Sequence, residues 1–163
     1  YVSRDGGKNF YQKQPEETFP ICDFGYIDTA NKTEVRGEGG KSGVFYMALG
    51  DAGLYKFCYD TGTDEIHVKR LTDAKDACYR MGLGVIGEGR EYLTEEKAIY
   101  FCGRLDGEYG FYRTLDEGKS YERLNRENQM YGEINSIDGD KRKFGRFFLA
   151  TGSRGVLYGE MLK

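Results

Sequence analysis

The sequence predicts an all-β fold assembled from the four-stranded blades of a β-propeller. Three observations support this prediction: a hairpin pattern occurs three times, a turn motif containing Asp and Gly occurs twice, and the composition favours strands. The 163 residues include 14 Tyr, 10 Phe and 24 Gly, but only 2 Pro and no Trp. Aromatic residues and glycines in these proportions are typical of many short strands joined by tight turns.

The hairpin pattern consists of an apolar strand, a glycine-containing turn and a second strand that begins near a glycine. It occurs as GVFYMALGDAGLYKF at residues 43–57, KAIYFCGRLDGEYGFYRTL at 97–115 and GRFFLATGSRGVLYGE at 145–160. The matching glycines Gly53, Gly110 and Gly155 are 57 and 45 positions apart. Repeats of roughly 40–50 residues that hold several strands each predict propeller blades.

The turn motif resembles the Asp-box, which joins the third and fourth strands of some propeller blades. SRDGGKNF at residues 3–10 and TLDEGKSY at 114–121 share its pattern, whereas CYDTGTDEIHV at 58–68 keeps only traces of it. The Asp carboxylate can accept backbone N–H groups, the Gly permits a positive φ, and the aromatic residue can pack between blades. We therefore interpret Asp5 and Asp116 as folding residues and not as catalytic acids.

The strand pattern predicts one partial propeller domain over residues 1–163, with blade pieces at about 1–13, 21–71, 76–124 and 132–160. This is about thirteen strands, or three to three and a half blades, whereas closed propellers have 4–8 blades. Open sheet edges at both ends would favour aggregation. We therefore expect the chain to be a piece of a larger ring.

Charge and cysteine patterns exclude several functions. The net charge of −3 comes from interspersed acidic and basic residues, so no nucleic-acid partner is expected, and no apolar run is long enough for a membrane helix. Without a CxxC pair, and with His67 as the single histidine, neither a zinc site nor another cofactor is expected. Free thiols are favoured over two disulfides, because Cys58 and Cys102 lie in apolar runs; the full set is Cys22, Cys58, Cys78 and Cys102.

Residues 109–160 resemble the C-terminal end of glycoside hydrolase family 74, the xyloglucanases. The resemblance rests on an ordered set of residues: Asn125, YG at 131–132, GD at 139–140, GR at 145–146 and TGSRGVLYG at 151–159. Two upstream stretches, YVSRDGGKNF and EYLTEEKAIYFCGRLDGEYGFYR, also resemble family segments. The resemblance implies the C-terminal part of the second Asp-box propeller, of the seven-bladed type, in a secreted two-propeller enzyme.

Such an enzyme is expected to hydrolyse xyloglucan or a related β-1,4-glucan with inversion, using two aspartates, one from each propeller. In the family both aspartates lie upstream of the matching stretch, so no catalytic residue is expected in this chain, which alone is expected to be inactive. The expected partners are the polysaccharide, the remainder of the propeller and the second propeller. The chain departs from the family in NRENQMYG at residues 125–132, where Arg126 replaces an acidic residue and Gln129-Met130 replace a His-Gln pair, and in lacking Trp.

Strand order predicts a substrate surface on one face of the blades. The turns between second and third strands (50–53, 103–110 and 151–155) and the links between blades (14–23, 75–84 and 125–132) share this face, opposite the Asp-box turns. Neutral sugars bind through aromatic stacking and polar groups that match hydroxyls. The candidate substrate-binding residues are therefore Tyr79, Arg80, Arg104, Asp106, Tyr109 and Tyr131, each of which could instead be an ordinary solvated residue.

Two other functions stay open. A non-catalytic Asp-box propeller that binds glycan or protein is favoured by the missing tryptophans and the altered 125–132 segment. A sialidase-like hydrolase would need three arginines converging on a carboxylate and a Tyr/Glu pair, and no Arg-Ile-Pro motif precedes the Asp-boxes.

Overall fold

The computed structural model describes residues 1–13, 34–37, 43–92 and 96–161, and these form an all-β structure of eleven strands. The predicted all-β class is confirmed. Within these ranges no helix is long and apolar enough to cross a membrane. The predicted link at 14–23 and Cys22 lie outside the described residues.

The strands form three antiparallel sheets. The first sheet has the order β1-β2-β3-β4, with strands at Glu34–Gly37, Val44–Ala48, Leu54–Asp60 and Glu65–Arg70. The second has the order β5-β6-β7-β8, with strands at Ala77–Gly84, Ala98–Leu105, Glu108–Thr114 and Glu122–Arg123. The third has the order β9-β10-β11, with strands at Ile134–Gly139, Arg146–Thr151 and Val156–Glu160. An antiparallel bridge between Val2 and Tyr11 precedes them.

The three predicted hairpins are confirmed as β2–β3, β6–β7 and β10–β11. The turn predicted at residues 103–110 is wrong in extent, because only Asp106 and Gly107 separate the two strands. Both residues have positive φ, 52° and 85°, as a two-residue type I′ hairpin turn requires. Arg104 and Tyr109 are consequently strand residues that face each other across the ladder.

The predicted link at 75–84 is also wrong, because Ala77–Gly84 is strand β5. Seven of its eight residues are buried, and only Tyr79 is half-buried, so β5 shows no alternation between buried and exposed positions. A strand covered on both faces lacks the period-two signal that a half-exposed strand gives.

The sheets pack face to face around two apolar clusters. In β6, Ile99 and Phe101 point into the cluster shared with the first sheet. Tyr100 and Cys102 point into the cluster shared with the third sheet. Because successive residues of a strand point to opposite faces, the second sheet is buried on both sides, as a propeller blade is.

Both Asp-boxes have the expected folding role. The Asp5 Oδ1 accepts the N–H of Asn9 at 2.9 Å, and the Asp116 Oδ1 accepts the N–H of Ser120 at 2.9 Å. In the partly lost motif, the Asp60 Oδ1 still accepts the N–H of Gly62 at 2.7 Å. These carboxylates therefore close turns.

The Asp-box aromatic residue joins two sheets. Tyr121 donates its hydroxyl hydrogen to the Leu71 carbonyl, which follows the first sheet. Its ring meets Phe101 of the second sheet edge to face, with centroids 5.8 Å apart. The predicted packing of this residue between neighbouring sheets is confirmed.

The cysteines among the described residues are thiols that form no disulfide, which is the state favoured from the sequence. Cys78 and Cys102 are buried and Cys58 is half-buried. His67 is exposed on β4, where we expected it to face solvent.

Candidate functional site

Two reciprocal backbone hydrogen bonds join the first and second sheets. The Gly50 N–H donates to the Cys78 carbonyl, and the Cys78 N–H donates to the Gly50 carbonyl, both at 2.8 Å. The β2–β3 turn is thereby held against the beginning of β5. Side chains from the two sheets meet at this seam.

A bulge in β5 sets the position of Tyr79. Cys78 pairs with Gly103 and Arg80 pairs with Cys102, so Tyr79 has no partner on β6. A bulge of this kind turns a side chain away from the regular ladder. The Tyr79 hydroxyl donates a hydrogen bond to the Asp51 Oδ1 across the seam, at 3.0 Å.

Asp51 also accepts a hydrogen bond from Arg104. The Arg104 Nη2 donates to the same Oδ1 at 3.3 Å, and both side chains are exposed, Asp51 by 69% and Arg104 by 45%. Asp51 from the first sheet is thus bonded to two residues of the second. An exposed ion pair of this kind contributes little to stability, on the order of 0–1 kcal/mol.

Aromatic rings extend from this seam to the link at 125–132. The Tyr79 and Tyr109 centroids are 6.3 Å apart with a 33° tilt. Tyr109 meets Phe111 edge to face at 6.5 Å, and Phe111 lies parallel to Tyr131 at 6.4 Å. Three of the candidate tyrosines therefore belong to one series of neighbouring rings.

The two tyrosines at the seam are neutral hydrogen donors at ordinary pH. Burial raises the pKa of the Tyr109 hydroxyl far above its usual range. Burial, and secondly the hydrogen bond to Asp51, raises the pKa of Tyr79. Both rings are half-buried, so each keeps an exposed part.

Tyr131 has an unusual backbone conformation. Its φ is +53°, in the left-handed region that bulky residues rarely adopt, and Gly132 follows with φ +77°. A cavity of about 160 Å³ lies beside its ring, with Asn125 and Gln129 among the polar residues of the wall. With this backbone conformation, the Tyr131 ring lies parallel to the Phe111 ring.

Arg80 and Asp106 are engaged elsewhere. Arg80 is 9% exposed and donates to the carbonyls of Asn135 at 3.0 Å and Tyr79 at 2.6 Å. Asp106 forms an ion pair with Lys75 at the tip of the β6–β7 hairpin. Of the candidate residues, the structure brings together Tyr79, Arg104 and Tyr109. Phe111 lies between Tyr109 and Tyr131 in the series of rings. Arg80 has a packing role.

The sequence did not identify Asp51 as the residue that Tyr79 and Arg104 share. Its position in a predicted turn on the candidate face was a signal, but the bulge that aims Tyr79 at it has no sequence signature. Within the described ranges, no group of three or more His, Cys, Asp and Glu residues could hold a metal ion.

Face-to-face antiparallel sheets with Asp-box turns define a propeller-type protein. No protein-family model matches the chain. The chain is similar to a xyloglucanase of Acetivibrio thermocellus, with 30% identity over 98% of this chain and 17% of that protein. It is also similar to an oligoxyloglucan-reducing end-specific xyloglucanase of Emericella nidulans, with 29% identity over 99% of this chain and 19% of the relative.

Solved structures agree with these relatives. The glycoside hydrolase family 74 xyloglucanase of Xanthomonas campestris superimposes with a TM-score of 0.66 and 27% identity, covering 83% of this chain and 18% of that one. The family 74 enzyme of Niastella koreensis gives 0.63 and 26%, covering 77% and 17%. The resemblance to glycoside hydrolase family 74 is thereby confirmed. The chain spans less than a fifth of the length of each of these proteins.

Proposed function

We propose that the chain is part of a secreted glycoside hydrolase that cleaves xyloglucan or a related β-1,4-glucan with inversion. The observation that carries the proposal is the 30% identity over 98% of the chain to a xyloglucanase. Because the chain spans only 17% of that relative, the activity belongs to a larger protein.

In this proposal the chain contributes to the substrate cleft. The rings of Tyr79, Tyr109 and Tyr131 provide surfaces for sugar stacking, and Arg104 provides hydrogen-bond donors. Asp106 lies at the same end of the second sheet, exposed on its hairpin tip. Tyr can replace the stacking role of Trp, which the sequence lacks.

Inverting hydrolysis needs a carboxylic acid and a carboxylate about 6.5–9.5 Å apart, with a water between them and the sugar. Asp51 is bonded to Tyr79 and Arg104, and Asp106 is bonded to Lys75. Both carboxylates are therefore already engaged with side chains of this chain. This supports the proposal that both catalytic aspartates lie outside this chain.

The third sheet supports a second role, in ring closure. Its strand β11 pairs with β10 and with no other described strand. Val156 and Tyr158 on β11 are 71% and 68% exposed. We propose that another part of the same propeller supplies a strand at this edge and covers these side chains.

The proposal is tested by incubating the intact protein with xyloglucan and measuring reducing sugars. Release well above that of a heat-inactivated sample is expected. A second candidate, a non-catalytic propeller that binds glycan, is favoured by the aromatic series at the seam. Retention of the protein on xyloglucan with no reducing sugar released would overturn the hydrolase and support this second candidate.

A further inference from the structure

A compact surface lies across the seam between the first and second sheets, built from Asp51, Arg104, Tyr79 and Tyr109. We propose that it is one sugar subsite, which holds a neutral pyranose through two adjacent hydroxyls and the apolar face of the sugar ring. This inference rests on the proposed function and specifies how this part of the cleft binds substrate.

Asp51 and Arg104 retain complementary hydrogen-bonding groups. The Asp51 Oδ1 is bonded to Tyr79 and Arg104, while the second carboxylate oxygen has no partner among the described residues. Arg104 uses one of its nitrogens for Asp51, and the others have no partner in the same part of the chain. One sugar hydroxyl can donate to the carboxylate while its neighbour accepts from the guanidinium. Hydrogen bonds to charged groups are stronger than neutral ones.

The charge of this pair favours a neutral ligand. Asp51 and Arg104 carry opposite charges and are 3.3 Å apart, so the surface has no net charge to attract an acidic sugar. The rings of Tyr79 and Tyr109, 6.3 Å apart, lie beside the pair and present apolar area. A pyranose needs this combination, because its faces are apolar and its rim carries hydroxyls.

The surface is preorganised by the backbone. The reciprocal hydrogen bonds between Gly50 and Cys78 fix the two sheets, and the bulge fixes the direction of Tyr79. The Tyr79 hydroxyl in turn positions Asp51. A site whose residues are held in place loses less entropy on binding. Tyr79 is thus both a stacking surface and a positioning residue.

The test is calorimetric titration of the intact protein with cellotetraose and with xyloglucan product oligosaccharides. Asp51→Ala is expected to weaken binding about tenfold, since it removes the acceptor and releases Arg104. Tyr79→Phe keeps the ring and removes the positioning bond, so a smaller loss of about threefold is expected. Glu65→Gln, at the opposite end of β4 from the seam, is the matched control and is expected to bind like the wild type.

The two ligands distinguish which sugar is held. Weaker binding of both assigns a backbone glucosyl residue, and weaker binding of the xyloglucan oligosaccharides alone assigns a xylosyl branch; either result supports the subsite. Unchanged dissociation constants for Asp51→Ala and Tyr79→Phe, in variants with the wild-type thermal midpoint, would overturn it. Failure of the wild type to bind either ligand would instead overturn the proposed function on which the subsite depends.

Discussion

Gly82 of β5 touches Asp138 of β9 so closely that a Cβ at position 82 would lie 2.4 Å from the Asp138 Cα and 2.4 Å from the Ile137 carbonyl oxygen. This contact joins the second and third sheets through their first strands. The neighbouring glycine Gly84 makes a similar close approach to Gly139. Side chains are therefore excluded where the two sheets come together.

We expect Gly82→Ala to destabilise the protein by about 1–3 kcal/mol, because the added methyl group must displace backbone. Gly87→Ala is the matched control, since a Cβ there meets only the Arg90 Cγ at 3.5 Å. Urea unfolding measures both. Equal urea midpoints for the two variants would contradict the prediction, because they would mean that β5 and β9 accommodate a methyl group with no loss of stability.

The Asp116 carboxylate is expected to make stability depend on pH. Hydrogen bonds from Ser120 are the main cause that lowers its pKa from 3.8 to about 2. A lowered folded-state pKa stabilises the protein above the unfolded value, and this contribution is lost as the pH falls from about 4 to about 2.

Asp116→Asn should therefore lower the free energy of unfolding at neutral pH by about 1 kcal/mol. Its urea unfolding midpoint should accordingly lie below that of the wild type. The difference should shrink as the pH falls through that window. Glu127→Gln, in an exposed turn, should show no difference at any pH. A gap between wild type and Asp116→Asn that stays constant down to pH 2 would contradict the Asp-box role.

The buried guanidinium of Arg113 depends on Glu122. The Arg113 side chain is 2% exposed and Glu122 is 52% exposed, and the two form an ion pair. The guanidinium also lies 5.1 Å from the Phe144 ring centroid, and its Nε has no hydrogen-bond partner. Removal of one partner of a buried pair leaves an uncompensated charge.

We expect Glu122→Ala to cost more stability than Arg113→Met, by about 1–2 kcal/mol, because Met fills the space without leaving a buried charge. The double variant should be close to Arg113→Met alone, since Glu122 then has no buried charge to neutralise. Urea unfolding of all three measures this coupling. A larger loss for Arg113→Met than for Glu122→Ala would exclude it.

Tyr131 tests the stacking role in the proposed enzyme. Tyr131→Ala in the intact protein is expected to raise KM for xyloglucan about tenfold by removing the ring, whereas Tyr131→Phe should stay near the wild-type value. Initial rates over a range of xyloglucan concentrations provide KM and kcat separately. An unchanged KM in Tyr131→Ala would rule out the stacking role.

The fold class was accessible from the sequence because its signals are local. Glycine-containing turns between apolar runs predict hairpins, and the Asp-box needs only eight residues, as at 114–121. The Asp-Gly pair at 106–107 is itself a two-residue turn signal, which would have limited the predicted turn at 103–110 to these two residues.

The candidate site was less accessible because it depends on register and on contacts between sheets. One extra residue in β5 decides that Tyr79 reaches Asp51 while Arg80 is buried against the Asn135 carbonyl. Adjacent polar residues in a sequence do not reveal which of them a bulge turns outward. Residue types alone therefore predicted a set of candidates that included both.

Inverting hydrolysis of xyloglucan is the activity that we propose for the intact protein. Proton NMR of the reducing-end anomers, recorded as the intact protein begins to cleave xyloglucan, tests it most directly. We expect the α-anomer to appear first, because inversion at a β-1,4 linkage produces it before mutarotation. Initial appearance of the β-anomer, or the absence of any new reducing end, would contradict it.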